Sequence, residues 1–223
     1  IRTAIILLFL ITTAFVTAEQ TAITIDGQFE DWDEVPIAAK GKDGDADNPV
    51  DFRLLWLADD DRFLFLRVET SEDFDLSDDN SIVLYLDTDA NAATGVPIGG
   101  IGAELEWRLG SRFGAFLHEG ANTYVDFADI RFRGAPTVTS NQFEMAIGRD
   151  TLPDGLNPLF TGSEVRVLLK DDLSNNTIPD DGTILSYTLD QGSVSPDTPI
   201  SFDRPITNNL RVITHNVWND ELF

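Results

Sequence analysis

Between Phe52 and Asp190 the chain is a series of short apolar runs separated by Gly, Asn, Asp and Pro, with no long run of apolar residues at helical spacing. FRLLWLADDDRFLFLRVE (Phe52 to Glu69) is two such runs around Asp59-Asp60-Asp61, and reads as a hairpin. Both of its faces are apolar, so these strands are expected to be central and buried. SIVLYLD (Ser81 to Asp87) is a third run. GAELEWRL (Gly102 to Leu109) alternates: Ala103, Leu105, Trp107 and Leu109 take one face, and Glu104, Glu106 and Arg108 take the other, as in a half-exposed strand. RFGAFLHE, DIRFRG, QFEMAIG, SEVRVLLK and TILSYTLD continue the series. A short helical turn is expected only around Arg149 to Leu152, and a short strand at Ala22 to Ile25 should lead into a turn at Asp26-Gly27. Many short strands at turn-separated intervals predict an all-β fold, an antiparallel β-sandwich.

Composition narrows the function. The 223 residues are 42% hydrophobic, enough for a packed core. There are 39 acidic and 15 basic side chains, a formal charge of −24. Direct nucleic-acid binding rests on Lys and Arg, so this balance argues against it, and against adhesion to anionic membranes. Cysteine is absent, which excludes disulfides and zinc–thiolate sites.

The ends differ from the middle. Ile1 to Ala18 (IRTAIILLFLITTAFVTA) has one Arg, an apolar core and the small-residue close Val16-Thr17-Ala18, which reads as a signal peptide. It is too short for a span of about 20 apolar residues, so no stable membrane span is expected after cleavage, and the protein is expected to be secreted, periplasmic or extracellular. Residues 19–189 form the expected sandwich domain. Asp190 to Asn209, rich in Pro, Ser and Asp, reads as a linker. Leu210 to Phe223 (LRVITHNVWNDELF) begins a new β-run.

The segment with the clearest chemistry is IVLYLDTDANAATG (Ile82 to Gly95). Asp87, Asp89 and Asn91 stand at alternate positions directly after a strand, among small alanines. Oxygen ligands converging from a flexible loop suit a hard cation, with calcium the natural choice. Thr94 adds an oxygen and Gly95 a tight exit. The D-x-D-x-N phrase is similar to the opening of an EF-hand loop but lacks its central Gly, its closing Glu and its flanking helices. A solvated turn held by Asx hydrogen bonds is the other reading. The acidic stretches at Asp43 to Asp47 and at Asp180-Asp181-Gly182 are read as solvated turns.

In order and spacing, ITIDGQFEDWDEVP, the hairpin from Phe52 to Glu69, the IVLYLDTDANAATG strand and loop, GAELEWRL and QFEMAIGRDTL resemble family 9 carbohydrate-binding modules and their DOMON-like relatives. The resemblance covers roughly residues 22–189. It implies a β-sandwich with bound calcium, in which Asp87, Asp89 and Asn91 match the acidic loop. Glu104 stands where relatives commonly have Asp, and as a ligand would alter the geometry by its longer arm. The resemblance also implies a polysaccharide or cell-surface glycan as partner. Aromatic candidates for stacking on sugar are Trp32, Trp107 and Tyr124, with Trp56 in a run that reads as buried; each also fits a core position. A DOMON-type haem would need His or Met ligands, and His118, His215 and Met145 are the candidates; Met145 shares a strand face with Phe143 and Ile147, an ordinary core position.

LRVITHNVWNDELF resembles the first strand of the endonuclease/exonuclease/phosphatase superfamily, with Asn216 matching the Asn that positions metal or phosphate there. This implies a metal-dependent nuclease or phosphatase, using Mg²⁺ or a similar ion, whose catalytic domain lies mostly beyond Phe223. The competing reading is a non-enzymatic extracellular glycan-binding or structural surface module, with Leu210 to Val217 a last strand of the sandwich.

Overall fold

The computed structural model of the chain describes residues 22–42, 50–76, 78, 80–180 and 182–190. The signal segment, the linker after Asp190 and the 210–223 phrase with Asn216 lie outside the described residues. So do His215, Asp181 and the loop Asp43 to Asp47.

The fold is an all-β, antiparallel sandwich. One sheet has five strands in the order β1 (Ile37–Lys40), β2 (Phe52–Asp59), β3 (Phe63–Phe74), β11 (Ser140–Gly148) and β10 (Arg133–Ala135). The other has seven: β13 (Thr177–Ile178), β12 (Glu164–Asp171), β4 (Ile82–Asp87), β7 (Leu105–Arg108), β8 (Phe113–His118) and β9 (Ala121–Asp126), with β14 (Leu185–Thr188) also pairing with β12. A separate two-stranded hairpin joins β5 (Val96–Ile98) to β6 (Ile101–Ala103).

Side-chain alternation places three apolar layers. Leu55 and Leu57 of β2, Leu64, Leu66 and Val68 of β3, and Phe143, Met145 and Ile147 of β11 face Leu84 and Leu86 of β4, Leu105 and Trp107 of β7, Phe116 of β8 and Val167 and Leu169 of β12. This is the core between the sheets, and each fully buried Leu or Phe in it contributes about 1.5–3 kcal/mol. Met145 is an ordinary member of it.

The outer faces are covered separately. On the five-stranded sheet, Trp56, Ala58, Phe63, Phe65 and Ala146 pack under the N-terminal segment, which brings Ile23, Ile25, Phe29, Trp32 and Val35. On the seven-stranded sheet, Val83, Tyr85 and Leu168 pack under the β5–β6 hairpin through Ile98, Ile101 and Ala103. The N-terminal cover explains why β2 and β3 are apolar on both sides, and the β5–β6 hairpin does the same for β4 and β12: a strand buried on two faces reads as a continuous apolar run.

The N-terminal cover is latched by one carboxylate. Glu144, fully buried on β11, accepts from the backbone N–H of Asp26 (2.7 Å) and Gly27 (2.6 Å) through Oε1, and from the Trp32 indole N–H (2.9 Å) through Oε2. The spaced IDG and DW of the sequence are therefore the two ends of a single hydrogen-bonded clamp. The segment reaches it without the expected strand: residues 22–25 belong to no strand, and the first regular element is a 3-10 turn at Glu30–Trp32.

A second clasp joins the sheets near Asp190. The buried Asp59 carboxylate accepts from the Tyr187 hydroxyl (2.8 Å), Arg149 Nη1 (2.6 Å) and the Asp190 N–H (2.9 Å). Burial raises the Asp59 pKa above the ordinary aspartate value, against the pull of these three donors. Arg149 thus sits in a turn as a bridge; the helical turn expected over Arg149 to Leu152 is a plain turn at residues 149–150. The expected strand over DIRFRG shortens to β10 because residues 127–131 form a turn.

Candidate metal centre and the outer sheet face

The acidic loop leaves β4 at the far end of its pairing with β12, on the outer side of the seven-stranded sheet. Asp87 is opposite Arg166 in the register, and Arg166 Nη1 lies 3.2 Å from Asp87 Oδ2. Asp87 is fully buried. Its Oδ1 accepts from the Asn91 N–H at 3.0 Å, and its Oδ2 also lies 3.3 Å from the Gly102 N–H.

The loop then folds back over β6. Ala90 takes a left-handed backbone (φ 55°), as does Gly95 (φ 62°). A Cβ on Gly102 would lie 2.1 Å from the Thr94 carbonyl oxygen and 2.6 Å from that of Asn91. The loop therefore rests backbone against backbone on β6, which only glycine permits there.

Asp87, Asp89 and Glu104 each bring a carboxylate oxygen into one group, all within 4.8 Å of one another. Glu104 is 7% exposed. Its Oε2 accepts from the Thr88 N–H (2.8 Å) and hydroxyl (3.3 Å), while its Oε1 is buried without a hydrogen-bond partner. Burial is the largest cause and, with the neighbouring Asp89 and Asp87 carboxylates, raises the Glu104 pKa above the ordinary glutamate value, against the Thr88 N–H donor.

The alternation that placed Glu104 on a wet face is broken in the structure. The strand is interrupted at Glu104, between β6 and β7, so GAELEWRL is two elements and its first glutamate turns inward to the loop. Glu106 and Arg108 keep the expected outer face, half-buried and ion-paired at 2.5 Å.

Asn91 and Thr94 brace the loop. The Asn91 amide oxygen accepts from the Ala93 N–H (3.1 Å), an Asx turn within the loop. The Thr94 hydroxyl lies 3.1 Å from both Asp89 oxygens and 2.8 Å from the Asn91 carbonyl. The expected ligand set of Asp87, Asp89, Asn91, Thr94 and Glu104 thus divides into a convergent carboxylate trio and two residues that shape the turn around it.

The trio fits a divalent cation on two counts. Its formal charge of −3 is reduced to −2 by Arg166 beside Asp87, and an unpartnered buried carboxylate oxygen is costly unless a cation or donor meets it. The donors are all oxygen, which favours a hard ion of the calcium type over zinc or copper. Beside the trio a cleft of about 300 Å³ is lined by Asp89, Thr94, Glu104, Leu117, His118 and Glu119, among others. His118 stacks near Phe116, ring centroids 6.0 Å apart.

The aromatic candidates separate by exposure. Trp32 is 1% exposed and Trp107 is fully buried, its ring against Phe132 at 5.1 Å, so neither presents a face on which a sugar can stack. Trp56 is buried under Arg67, whose guanidinium lies 4.3 Å from the ring centre. Tyr124 is 68% exposed on β9. Phe113 on β8, which sequence reasoning passed over, is exposed beside it, with ring centroids 5.6 Å apart and planes within 22°. Its signal in the sequence was an aromatic opening a strand whose partner strand, β9, alternates too weakly to be read.

No protein-family model, curated protein or solved structure matches the chain. Among the described residues no helix is long and apolar enough to cross a membrane.

Proposed function

We propose that the sandwich is a non-catalytic, exported glycan-binding module whose 87–95 loop is fixed by a bound calcium ion. The observation that carries the reading is the buried, unpartnered Oε1 of Glu104 within a carboxylate trio that carries a residual charge of −2 after Arg166 is counted. Asp87, Asp89 and Glu104 would hold the ion; Asn91, Thr94, Gly95 and Gly102 shape the loop that presents them. Bound calcium would supply structural charge balance, joining the β4 end, the loop and the β6–β7 break into one unit. The remaining positions of a six-to-eight-oxygen shell would come from backbone carbonyls and water.

The module is suited to anchoring rather than to reading nucleic acid, because a charge of −24 repels polyanions. A metal-dependent phosphoesterase joined through the linker is the partner domain that the 210–223 phrase supports, with Asn216 in its family's positioning role.

Calorimetric titration of chelator-stripped protein with CaCl₂ tests the ion site. The expected result is one saturable site per chain that Asp87→Ala with Asp89→Ala abolishes. Heats of dilution alone from the wild-type protein would reject it.

A further inference from the structure

The carboxylate trio has a cation fixed beside it by the strand register. Val165, Val167 and Leu169 of β12 face the core, so Arg166, Leu168 and Lys170 take the outer face. Leu168 packs under the β5–β6 hairpin, and Arg166 lies directly opposite Asp87 across the β12–β4 pair. A basic and an acidic residue in that relation attract across the strands. The Arg166 side chain is only 20% exposed, beside a carboxylate that is fully buried.

The contact supplies charge more than it clamps. Arg166 Nη1 meets Asp87 Oδ2 once, at 3.2 Å, which is longer than the about 2.7–2.9 Å of a close charge-assisted bond. Arg166 Nε is buried without a hydrogen-bond partner, so the guanidinium does not grip the carboxylate with both arms of its fork. Among the described residues Asp87 is the carboxylate that Arg166 pairs with. Asp87 has other donors in the Asn91 N–H at 3.0 Å and the Gly102 N–H at 3.3 Å. What Arg166 adds to them is a fixed positive charge, because a guanidinium stays protonated. Glu119 also lines the adjoining cleft, but it is exposed and water screens its carboxylate.

We infer that Arg166 sets the valence of the ion that the trio accepts. The inference rests on the reading of the trio as a calcium site, and adds to it the residue that selects divalent over trivalent ions. Three carboxylates and one guanidinium sum to −2. A divalent ion brings the cluster to zero. A monovalent ion leaves −1 and a trivalent ion leaves +1. Either remainder is costly here, because Asp87 and Glu104 are buried away from the water that would solvate it. Without Arg166 the sum is −3, which a trivalent ion neutralises. Oxygen donors alone do not make this distinction, since they suit hard ions of either charge.

Equilibrium dialysis of the calcium-loaded full chain against mixtures of Ca²⁺ and La³⁺ tests the inference, with the bound metals counted by atomic emission. La³⁺ is a hard, oxygen-seeking ion close to Ca²⁺ in size, so the two differ mainly in charge. Binding by Asp87→Ala with Asp89→Ala is subtracted as the share of the other surface carboxylates. Arg166→Gln, which keeps a donor for Asp87, and Arg166→Met, which keeps an apolar stem, should each raise the preference for La³⁺ over Ca²⁺ roughly tenfold or more. Arg166→Lys, which keeps the charge, should leave the preference near that of wild type. Loss of packing alone would weaken both ions together and leave their ratio unmoved, so the ratio separates charge from fold. If the wild type binds calcium but the ratio is unchanged in Arg166→Gln and Arg166→Met, or rises equally in Arg166→Lys, the inference is overturned and the calcium site stands. If the wild type binds neither ion above the double variant, the calcium site is overturned and the inference with it.

Discussion

Glu104 is the residue on which the site turns, and its neighbours dictate its behaviour. A glutamate with one buried oxygen unpartnered, beside Asp87 and Asp89, destabilises the metal-free fold. Glu104→Gln should therefore raise the stability of chelator-treated protein, by on the order of 1 kcal/mol, and abolish its response to calcium; denaturant titration in both conditions reads the two effects. Asp59 gives a separate pH prediction. Its pKa is raised in the fold by burial, so the stability it contributes is fully present below the unfolded-state value near 3.9 and is lost as the pH rises through the folded value. The stability of the wild type relative to Asp59→Asn should accordingly fall as the pH is raised from about 4 towards 7. A difference that grows over that range would contradict the assignment. At this scale Asp87 and Asp89 were legible because alternate oxygen-bearing residues after a strand have few uses. The burial of Glu104 was not, because alternation reports which side of a strand a residue takes and says nothing of what covers that side.

Among the elements, the two outer covers do most to decide what is open. The N-terminal segment is held by three donors on the single carboxylate of Glu144. Glu144→Gln would turn an amide donor towards at least one of these N–H groups, and should cost about 2 kcal/mol with earlier proteolysis before Pro36. Denaturation and proteolytic patterns identical to wild type would contradict the latch. Gly102→Ala should displace the 87–95 loop, because the added methyl meets the Thr94 carbonyl oxygen at 2.1 Å. Calcium affinity should drop with it, while the core strands stay intact by circular dichroism. The strands themselves were legible from their apolar runs: β2, β3, β4, β8, β11 and β12 fall where the sequence puts them. β1, β5, β9 and β13 were missed because they are two to six residues long or rich in polar and small side chains, and are strands only because a neighbour supplies their hydrogen bonds. Trp32 and Trp107 are sugar-platform candidates that fit core positions better, and the structure buries Trp32 under the N-terminal cover and Trp107 between the sheets.

For the whole molecule, a formal charge of −24 opposes compaction. Raising NaCl from about 10 mM to about 1 M shortens the screening length from roughly 30 Å to roughly 3 Å and should raise the melting temperature; a fall would mean that exposed ion pairs matter more than the net repulsion. The sandwich was legible as a whole because no helical periodicity competes with the strands, whereas the division of each outer face into a covered and an open part depends on pairings between distant segments. The central claim is that a divalent ion closes the carboxylate trio. Thermal melting of the wild-type chain in excess chelator against millimolar calcium tests it most directly. Binding at about 1,000 times the dissociation constant stabilises by about 4 kcal/mol, which for a domain of this size is a rise of roughly 8–16 °C in calcium. Superimposable curves in chelator and in calcium would contradict the account.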